Sequence, residues 1–228
     1  MRDLISVIVP TFQEAGQIRA LLDHLQALPG TWEVIVVDGG SHDATLALAR
    51  RHASAPIVLR CAGGRARQLN AGAALAAGDP IVFLHADSRL PTGAWAALRG
   101  AVAAGHSGGN FTLRFDGGDR FSRVLGAVYA AQRRMGYYYG DSTIWVTAAA
   151  FERLRGYREL PIMDDYDFAR RLEVLGATAR LPGPATTSAR RWRGQGIPRT
   201  VLSWVLIRWL YVAGVPPRRL AALYRRIR

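Results

Sequence analysis

Short apolar runs alternate with helical patterns through the first 90 residues of the chain. Four runs are rich in Val and Ile and short enough for buried strands, and they span 5–9, 32–37, 57–60 and 81–84. The segments between them carry apolar residues at helical spacing or are rich in alanine, and they span 18–28, 44–52 and 67–77. This alternation predicts an α/β fold, with a mostly parallel sheet that has helices on both faces.

Three of these strands are followed by residues that could belong to a binding site. Pro10 ends the first strand, Asp38 follows the second, and Asp87 lies just beyond the fourth. Since the carboxyl ends of parallel strands meet at one edge of a sheet, we expect these residues to share the rim where open α/β sheets bind ligands. Taken singly, Asp38 and Asp87 are explained better as a helix cap or a surface charge. Asp87 and Ser88, for example, could cap a helix at 91–104.

The pattern changes after residue 105, although no linker separates a second domain. Strands are predicted at 108–115, 142–146 and 177–181. The alternation of apolar and polar residues in 108–115 predicts that this strand is half-exposed. Helices are predicted at 120–134, 148–154 and 166–175. We therefore expect a single domain.

The C-terminal part of the chain is basic and apolar. All 30 basic residues are arginine, and every charged residue after Glu173 is an arginine. The apolar stretch 200–215 is shorter than the ~20 residues that a membrane-spanning helix needs. It could be an interfacial helix at an anionic membrane surface or a helix packed on the domain, and both interpretations stay open.

The single cysteine, Cys61, excludes a disulfide framework and favours a reducing compartment. The first ten residues do not have the pattern of a signal peptide. The expected location is the cytoplasm, with peripheral contact on the inner face of the membrane as a further expectation.

Several common sites are excluded by their motifs. The loop after the first strand, PTFQEAG, has no glycine triplet for a dinucleotide, and the chain has no P-loop, no G-x-S-x-G elbow and no zinc-like spacing. Carboxylates and arginines at strand ends remain. Asp38 could accept hydrogen bonds from a base or ribose, and Asp87 could hold Mg²⁺ or Mn²⁺. Arg65 and Arg67 lie in a glycine loop before a helix and could clamp a diphosphate.

Three further carboxylates, at positions 164, 165 and 167, form a cluster that would suit a general base.

The order of these segments resembles the family 2 glycosyltransferases, which have the GT-A fold. The resemblance covers residues 4–176 and is carried by VIVPTFQE, VVDGGSHD, GRARQLNAGAALAAGD, FLHADS and MDDYDFARRL. FLHADS occupies the place of the family's Asp-x-Asp motif, and MDDYDFARRL that of its Glu-Asp motif. SARRWRGQG and the apolar helix after it resemble a small subgroup described as arsenosugar-biosynthesis-like.

The resemblance implies an inverting, non-processive, hexosyltransferase-like enzyme that uses a nucleotide-diphosphate sugar, a divalent metal (Mg²⁺ or Mn²⁺) and an acceptor hydroxyl. It divides the domain into a nucleotide-sugar half (1–105), an acceptor half (106–185) and basic apolar C-terminal helices (186–228). Its implied nucleotide-binding residues are Pro10, Thr11, Phe12, Glu14, Asp38, Arg65, Arg67, Ala86 and Asp87. Asp165 would be the base and Asp87 the metal ligand. Asp141 and Asp164 would border the acceptor, and Arg190, Arg191 and Trp192 would have a phosphate role.

Two positions depart from the family pattern. His85 stands where the first Asp of Asp-x-Asp is usual, so metal binding would rest on Asp87. Asp164 replaces the usual Glu before the base and keeps its charge. The Gln-x-x-Arg-Trp motif of processive enzymes is absent as such, which favours transfer of one sugar.

Two other functions compete with this interpretation. The basic tail would suit a module that binds an anionic membrane or nucleic acid, although nucleic acid is not expected because aromatic residues are not interleaved with the basic loops. A nucleotidyltransferase on a related fold would also use metal and diphosphate, but the expected lysine-bearing glycine loop is missing. The acceptor is open, and a lipid-linked acceptor is among the expectations.

Overall fold

The computed structural model describes residues 4–189 and 196–227. Within them, seven strands form one sheet in the order β3-β2-β1-β4-β6-β5-β7. The strands are β1 (Ile5–Thr11), β2 (Trp32–Asp38), β3 (Ile57–Arg60), β4 (Ile81–Phe83), β5 (Gly108–Phe115), β6 (Ile144–Val146) and β7 (Thr178–Thr187). The α-helices are α1 (Ala15–Gln26), α2 (Thr45–Arg50), α3 (Arg65–Ala73), α4 (Ala94–Ala103), α5 (Arg120–Arg134), α6 (Ala148–Arg153), α7 (Asp164–Leu175), α8 (Ile197–Val212) and α9 (Pro217–Ile227).

The sheet is mostly parallel, as predicted. β1 pairs in parallel with β2 and β4, β2 with β3, and β5 with β7, whereas β6 runs antiparallel to both β4 and β5. Because Phe83 at the end of β4 faces Ile144 at the start of β6, the segment before β6 lies at the same edge as the carboxyl ends of β1, β2 and β4. That edge carries most of the candidate residues.

Helices cover both faces of the sheet because alternate strand residues point to opposite sides. Val7 packs on one face in a cluster with residues of α1 and α4. Its neighbour Ile8 packs on the other face in a cluster with residues of α3, α6 and α7. The predicted α/β class and the two helical layers are confirmed.

The prediction that Pro10 ends the first strand was wrong, since β1 continues to Thr11. Ile8 accepts a hydrogen bond from Leu84 on the β4 side, and Thr11 accepts one from Gly39 on the β2 side. Pro10 therefore faces the β4 side, where β4 has already ended at Phe83. Its missing N–H costs no ladder hydrogen bond there.

Other observed features of the strands and helices also differ from the predicted ones. β7 runs through Pro182–Pro184 to Thr187, well past the predicted residue 181, because it keeps pairing with β5 across a register shift. The first four residues of β5 are buried, so its predicted half-exposure holds only for its later part. α4 begins at Ala94 with Gly93 at its N-cap, so Asp87 and Ser88 do not cap it.

The C-terminal helices form a hairpin that packs on the region 137–166. Ile207 of α8 and Leu220 of α9 are buried in a cluster with Met163 and Tyr166. Among the described residues, no helix is long and apolar enough to cross a membrane. Arg190, Arg191 and Trp192 lie outside the described residues.

Candidate active site

Asp38 organises the loop after β2. Its carboxylate is fully buried and accepts hydrogen bonds from the backbone N–H groups of Gly40 (2.9 Å) and Ser41 (2.8 Å) and from the Ser41 hydroxyl (2.5 Å). Burial would raise the pKa of Asp38, but these hydrogen bonds and one from Thr11 outweigh burial and hold the pKa below its usual range. The side chain predicted to bind the nucleoside thus also fixes the loop's shape.

The loop after β1 is fastened to the loop after β2. Gln13 has a left-handed backbone (φ 57°), and its N–H donates to the Ser41 hydroxyl at 2.8 Å. The Glu14 N–H donates to the Thr45 hydroxyl at 2.9 Å. Phe12, directly before these two residues, is 58% exposed. Pro10 and Thr11, by contrast, belong to β1, so four of the predicted nucleoside residues occupy two different environments.

Arg65 begins α3 directly after two glycines with left-handed backbone, Gly63 (φ 108°) and Gly64 (φ 104°). Its guanidinium makes a bidentate pair with Asp164, with Nε–Oδ2 at 3.0 Å and Nη2–Oδ1 at 2.6 Å. Nη2 also lies 3.3 Å from Asp165 Oδ2. Burial would lower the pKa of Arg65, but the two carboxylates outweigh burial and raise it, so the guanidinium stays charged.

Arg67, the second predicted diphosphate ligand, points away to an exposed pair with Glu159 at 3.1 Å. Both arginines of the glycine loop therefore have carboxylate partners in this structure. Arg65 lies among the candidate catalytic groups, whereas Arg67 lies at the outer edge of the loop.

Asp165 is held in place by two backbone donors in the first turn of α7. Its Oδ2 accepts from the Gly140 N–H at 2.9 Å, and its Oδ1 accepts from the Tyr166 N–H at 2.8 Å. The predicted helix start at Tyr166 was two residues late, because the aspartates themselves form the first turn, where the helix dipole favours negative charge. Its side chain is largely, but not fully, shielded from water.

Gly140 lies between the side chains of His85 and Asp165. A Cβ on Gly140 would lie 3.0 Å from His85 Nε2 and 3.2 Å from Asp165 Oδ2. His85 Nδ1 in turn lies 3.5 Å from Asp141 Oδ1. The structure thus gathers side chains from α3, α7, the segment after β4 and the short 3₁₀ helix Gly140–Ser142, and they are Arg65, His85, Asp141, Asp164 and Asp165.

Asp87 lies two residues beyond His85 and is half-buried, while Ala86 between them is buried. Burial lowers the pKa of Arg89, and the charge of Asp87 partly opposes that effect. Within residues 4–189 and 196–227, no three His, Cys, Asp or Glu side chains converge as a metal site. A single carboxylate still suits Mg²⁺, which usually takes one or two carboxylates and completes its shell with water and substrate phosphates.

A cavity of about 1100 Å³ opens beside this cluster. Gly63, Gly64, Asp141 and Asp165 line it, and so do apolar residues of α5 and α8, the segment 159–163 and residues of α9. Sequence patterns did not reveal this cavity, since it arises from the packing of α5 against helices that lie about 80 residues further along the chain. The apolar residues at 124, 128, 202, 205 and 206 are a sequence signal that could have indicated it.

The comparison with protein families decides the assignment. The model of the family described as "Glycosyl transferase family 2" matches residues 6–168. The chain belongs to glycosyl transferase family 2. The matched region includes all five clustered side chains.

One curated relative of this family 2 chain is an undecaprenyl-phosphate 4-deoxy-4-formamido-L-arabinose transferase from Aeromonas hydrophila, which is 33% identical over 98 residues. The aligned region covers 39% of this chain and 30% of the relative, so the chain spans about a third of that protein.

Solved structures show the same fold. The mannosyltransferase PcManGT from Pyrobaculum calidifontis, in complex with GDP-Man and Mn²⁺, has a TM-score of 0.67 at 20% identity and covers 99% of this chain and 69% of its own. S. aureus TarS with UDP-GlcNAc has a TM-score of 0.65 at 18% identity, covering 84% and 59%. Glucosyl-3-phosphoglycerate synthase from Mycobacterium tuberculosis, with Mn²⁺, UDP and phosphoglyceric acid, has a TM-score of 0.59 at 21% identity, covering 94% and 80%. The GT-A fold implied by the resemblance is confirmed.

Proposed function

We propose that this family 2 chain moves one sugar from a nucleotide-diphosphate sugar to an acceptor hydroxyl, with inversion at the anomeric carbon. The observation that carries the proposal is the position of Asp165. Two backbone N–H groups hold its carboxylate in the lining of a cavity that the Gly63–Gly64 loop also lines. A base and a loop suited to a diphosphate thus border one space large enough for both substrates.

In this proposal Asp165 accepts the proton of the acceptor hydroxyl. The acceptor oxygen then forms a bond to the anomeric carbon as the bond from that carbon to the nucleotide diphosphate breaks. General base catalysis by such a carboxylate contributes ~10²–10⁴-fold in rate. Arg65 positions Asp165 and Asp164 through its three contacts, and Asp141 and Asp164 border the acceptor.

The donor would lie along the edge formed by β1, β2 and β4. Phe12, with its exposed ring, would stack on the nucleoside together with Pro10, Thr11 and Glu14, and Asp38 would face the base or ribose. The N–H groups at the start of α3 and the charge of Arg65 and Arg67 would attract the diphosphate. Asp87, next to Ala86, would hold Mg²⁺ or Mn²⁺, which supplies electrostatic stabilisation of the leaving diphosphate when bound.

The decisive test has a binding arm and a transfer arm. Thermal shift with UDP-, GDP- and dTDP-sugars, with and without Mn²⁺, should identify a donor, since a ligand at ~100 times its Kd stabilises by ~2.7 kcal/mol. Asp165→Asn should keep that shift and lose ~10²–10⁴-fold in transfer rate, because its amide is not a base.

Asp23→Asn, at an exposed carboxylate outside the site, is the control and should behave as wild type in both arms. Transfer by Asp165→Asn at the wild-type rate would remove the assignment of the base. Pyrophosphate release without sugar transfer would favour a nucleotidyltransferase instead.

A location at the membrane surface is a second part of the proposal. α8 presents a row of exposed apolar side chains at helical spacing, which are Leu202, Val205, Leu206, Trp209 and Val212. α9 adds exposed arginines, including Arg219. An apolar face beside basic residues suits the surface of an anionic bilayer. A lipid-linked acceptor fits the same location, and the name of the Aeromonas hydrophila relative, an undecaprenyl-phosphate transferase, supports it.

A further inference from the structure

The apolar part of the cavity is a groove between α5 and α8. Its walls carry Phe121, Val124 and Val128 on one side and Trp204 and Val205 on the other. Val124 is 61% exposed and Val128 is 43% exposed, although both lie on a helix whose other face is packed on β5. Apolar side chains that face a cavity instead of a core mark a surface that a ligand covers.

Arginines stand along the same groove. Arg208, Arg218 and Arg225 all line it, and among the described residues none of the three forms an ion pair with a carboxylate. Since no acidic residue follows Glu173 in the sequence, α8 and α9 offer no carboxylate to neutralise them. The groove therefore combines apolar walls with three arginines that have no carboxylate partner among the described residues.

Arg208 connects the groove to the candidate base. Its guanidinium lies 5.5 Å from the centroid of the Tyr137 ring. The Tyr137 ring stacks on the Tyr166 ring with centroids 6.1 Å apart, and Tyr166 directly follows Asp165 in α7. Arg208 and Asp165 both line the cavity, so the positive charge and the candidate base border the same space.

We propose that this groove binds the hydrocarbon chain of a lipid monophosphate, which is the acceptor of the transfer reaction. The chain would lie between α5 and α8, and the phosphate would lie beside Arg208, with a P–OH oxygen near Asp165. A polar acceptor such as a sugar would find few hydrogen-bonding groups on these walls, whereas an anionic lipid matches both their apolar surface and their charge. This inference rests on the proposed function.

The reaction balances without a further reactant. The lipid phosphate monoanion gives its P–OH proton to Asp165, and that oxygen forms a bond to the anomeric carbon. The bond between the anomeric carbon and the donor diphosphate breaks, and the nucleoside diphosphate leaves with the electron pair. The products are a lipid phosphosugar and a nucleoside diphosphate.

Equilibrium binding of farnesyl phosphate below its critical micelle concentration tests the groove on the full chain, with inorganic phosphate and farnesol as half-ligands. Farnesyl phosphate should bind at least ~10-fold more tightly than either half-ligand, because each half makes only one of the two kinds of contact. Equal affinity for farnesyl phosphate and inorganic phosphate would overturn the proposal.

Matched variants locate the binding. Val205→Asp places a carboxylate in the groove and should weaken farnesyl phosphate binding ~10-fold or more. The same change at Val174, which is 82% exposed and lies outside the groove, should have an effect below ~2-fold. Arg218→Gln, in the groove, should weaken binding more than Arg219→Gln, on the neighbouring residue outside it. Wild-type affinity in Val205→Asp, with circular dichroism confirming its fold, would overturn the proposal.

The two proposals fail separately. If nucleotide-sugar binding and transfer to a soluble hydroxyl are observed but farnesyl phosphate does not bind, the groove assignment fails and the proposed function stands. If farnesyl phosphate binds and no nucleotide sugar stabilises the protein, the proposed function fails, and with it the role of the lipid as an acceptor.

Discussion

Asp38 shows how a single buried carboxylate couples loop shape to pH. Its hydrogen bonds from Gly40, Ser41 and Thr11 hold its pKa below the ordinary value of 3.8. A carboxyl whose folded pKa is depressed contributes stability that is present above its unfolded pKa and is lost as the pH falls through the folded pKa. We expect Asp38→Asn to lower the unfolding free energy at pH 7 by about 2 kcal/mol, because an amide cannot accept from all these donors.

That deficit relative to wild type should shrink as the pH falls below about 4. Urea unfolding at pH 7 and pH 3 measures it, with Asp23→Asn as an exposed control. A deficit of the same size at both pH values would show that Asp38 acts through packing and not through its charge.

Gly140 tests whether the placement of Asp165 matters. Gly140→Ala would put a methyl group 3.0 Å from His85 Nε2 and 3.2 Å from Asp165 Oδ2, closer than such contacts ordinarily allow. We expect the carboxylate to move and kcat to fall up to ~100-fold, since a misplacement of about 1 Å can have that effect. The KM for the donor should change little. Unchanged kcat in Gly140→Ala would mean that Asp165 has freedom to readjust.

At the residue scale, the sequence predicted which residues lie in the cluster better than it predicted which of them contact each other. Arg65, Asp141, Asp164 and Asp165 were all singled out, and the structure brings them together. The interpretation of Arg65 as a diphosphate clamp did not anticipate its bidentate pair with Asp164. No local pattern joins two side chains that are 99 positions apart in the chain; only the packing of α3 beside α7 does.

At the scale of elements, substitution of two helical glycines by alanine should change the stability of the fold in opposite directions. A Cβ on Gly72 in α3 would lie 2.4 Å from Ile8 Cγ2 and 3.0 Å from Val37 Cγ2, so this glycine lets the helix approach the sheet. A Cβ on Gly100 in α4 would meet nothing within 4 Å. We expect Gly72→Ala to destabilise the fold by about 1–3 kcal/mol and Gly100→Ala to stabilise it by about 0.5–1 kcal/mol.

Thermal and urea unfolding of the two variants give both values. Stabilisation by Gly72→Ala would show that α3 is not in close contact with β1 and β2. Because the substitution is identical in both helices, the intrinsic helical preference for alanine cancels between them.

Periodicity predicted most elements, and it failed where neighbouring elements set the boundary. β3, β5 and α5 have the predicted bounds. The end of β1 depends on where β4 stops, and the end of β7 depends on its pairing with β5. Local signals such as Pro10 and Pro182 indicate a break, but a proline is tolerated where the facing strand is absent or shifted.

The whole molecule adds features that no single element contains. The antiparallel direction of β6 brings Gly140 and Asp141 beside His85, and the convergence of α5, α8 and α9 creates the groove. Neither the strand direction nor the helix convergence could be predicted from hydrophobic spacing, because both depend on contacts between distant segments.

The charge of the whole molecule leads to a prediction about surfaces. The chain carries a formal net charge of +13, and α9, which has exposed arginines, contacts α8, which carries the exposed apolar row. We expect binding to vesicles that contain anionic lipid, weak binding to zwitterionic vesicles, and loss of most binding at 1 M salt, where the screening length is about 3 Å.

Leu206→Asp, in the row, should weaken vesicle binding, since a carboxylate there opposes both burial and the anionic surface. Val174→Asp, at an exposed apolar residue that lies on α7, is the control. Sedimentation with vesicles measures all of these, and equal binding of Leu206→Asp and Val174→Asp would show that α8 does not contact the bilayer.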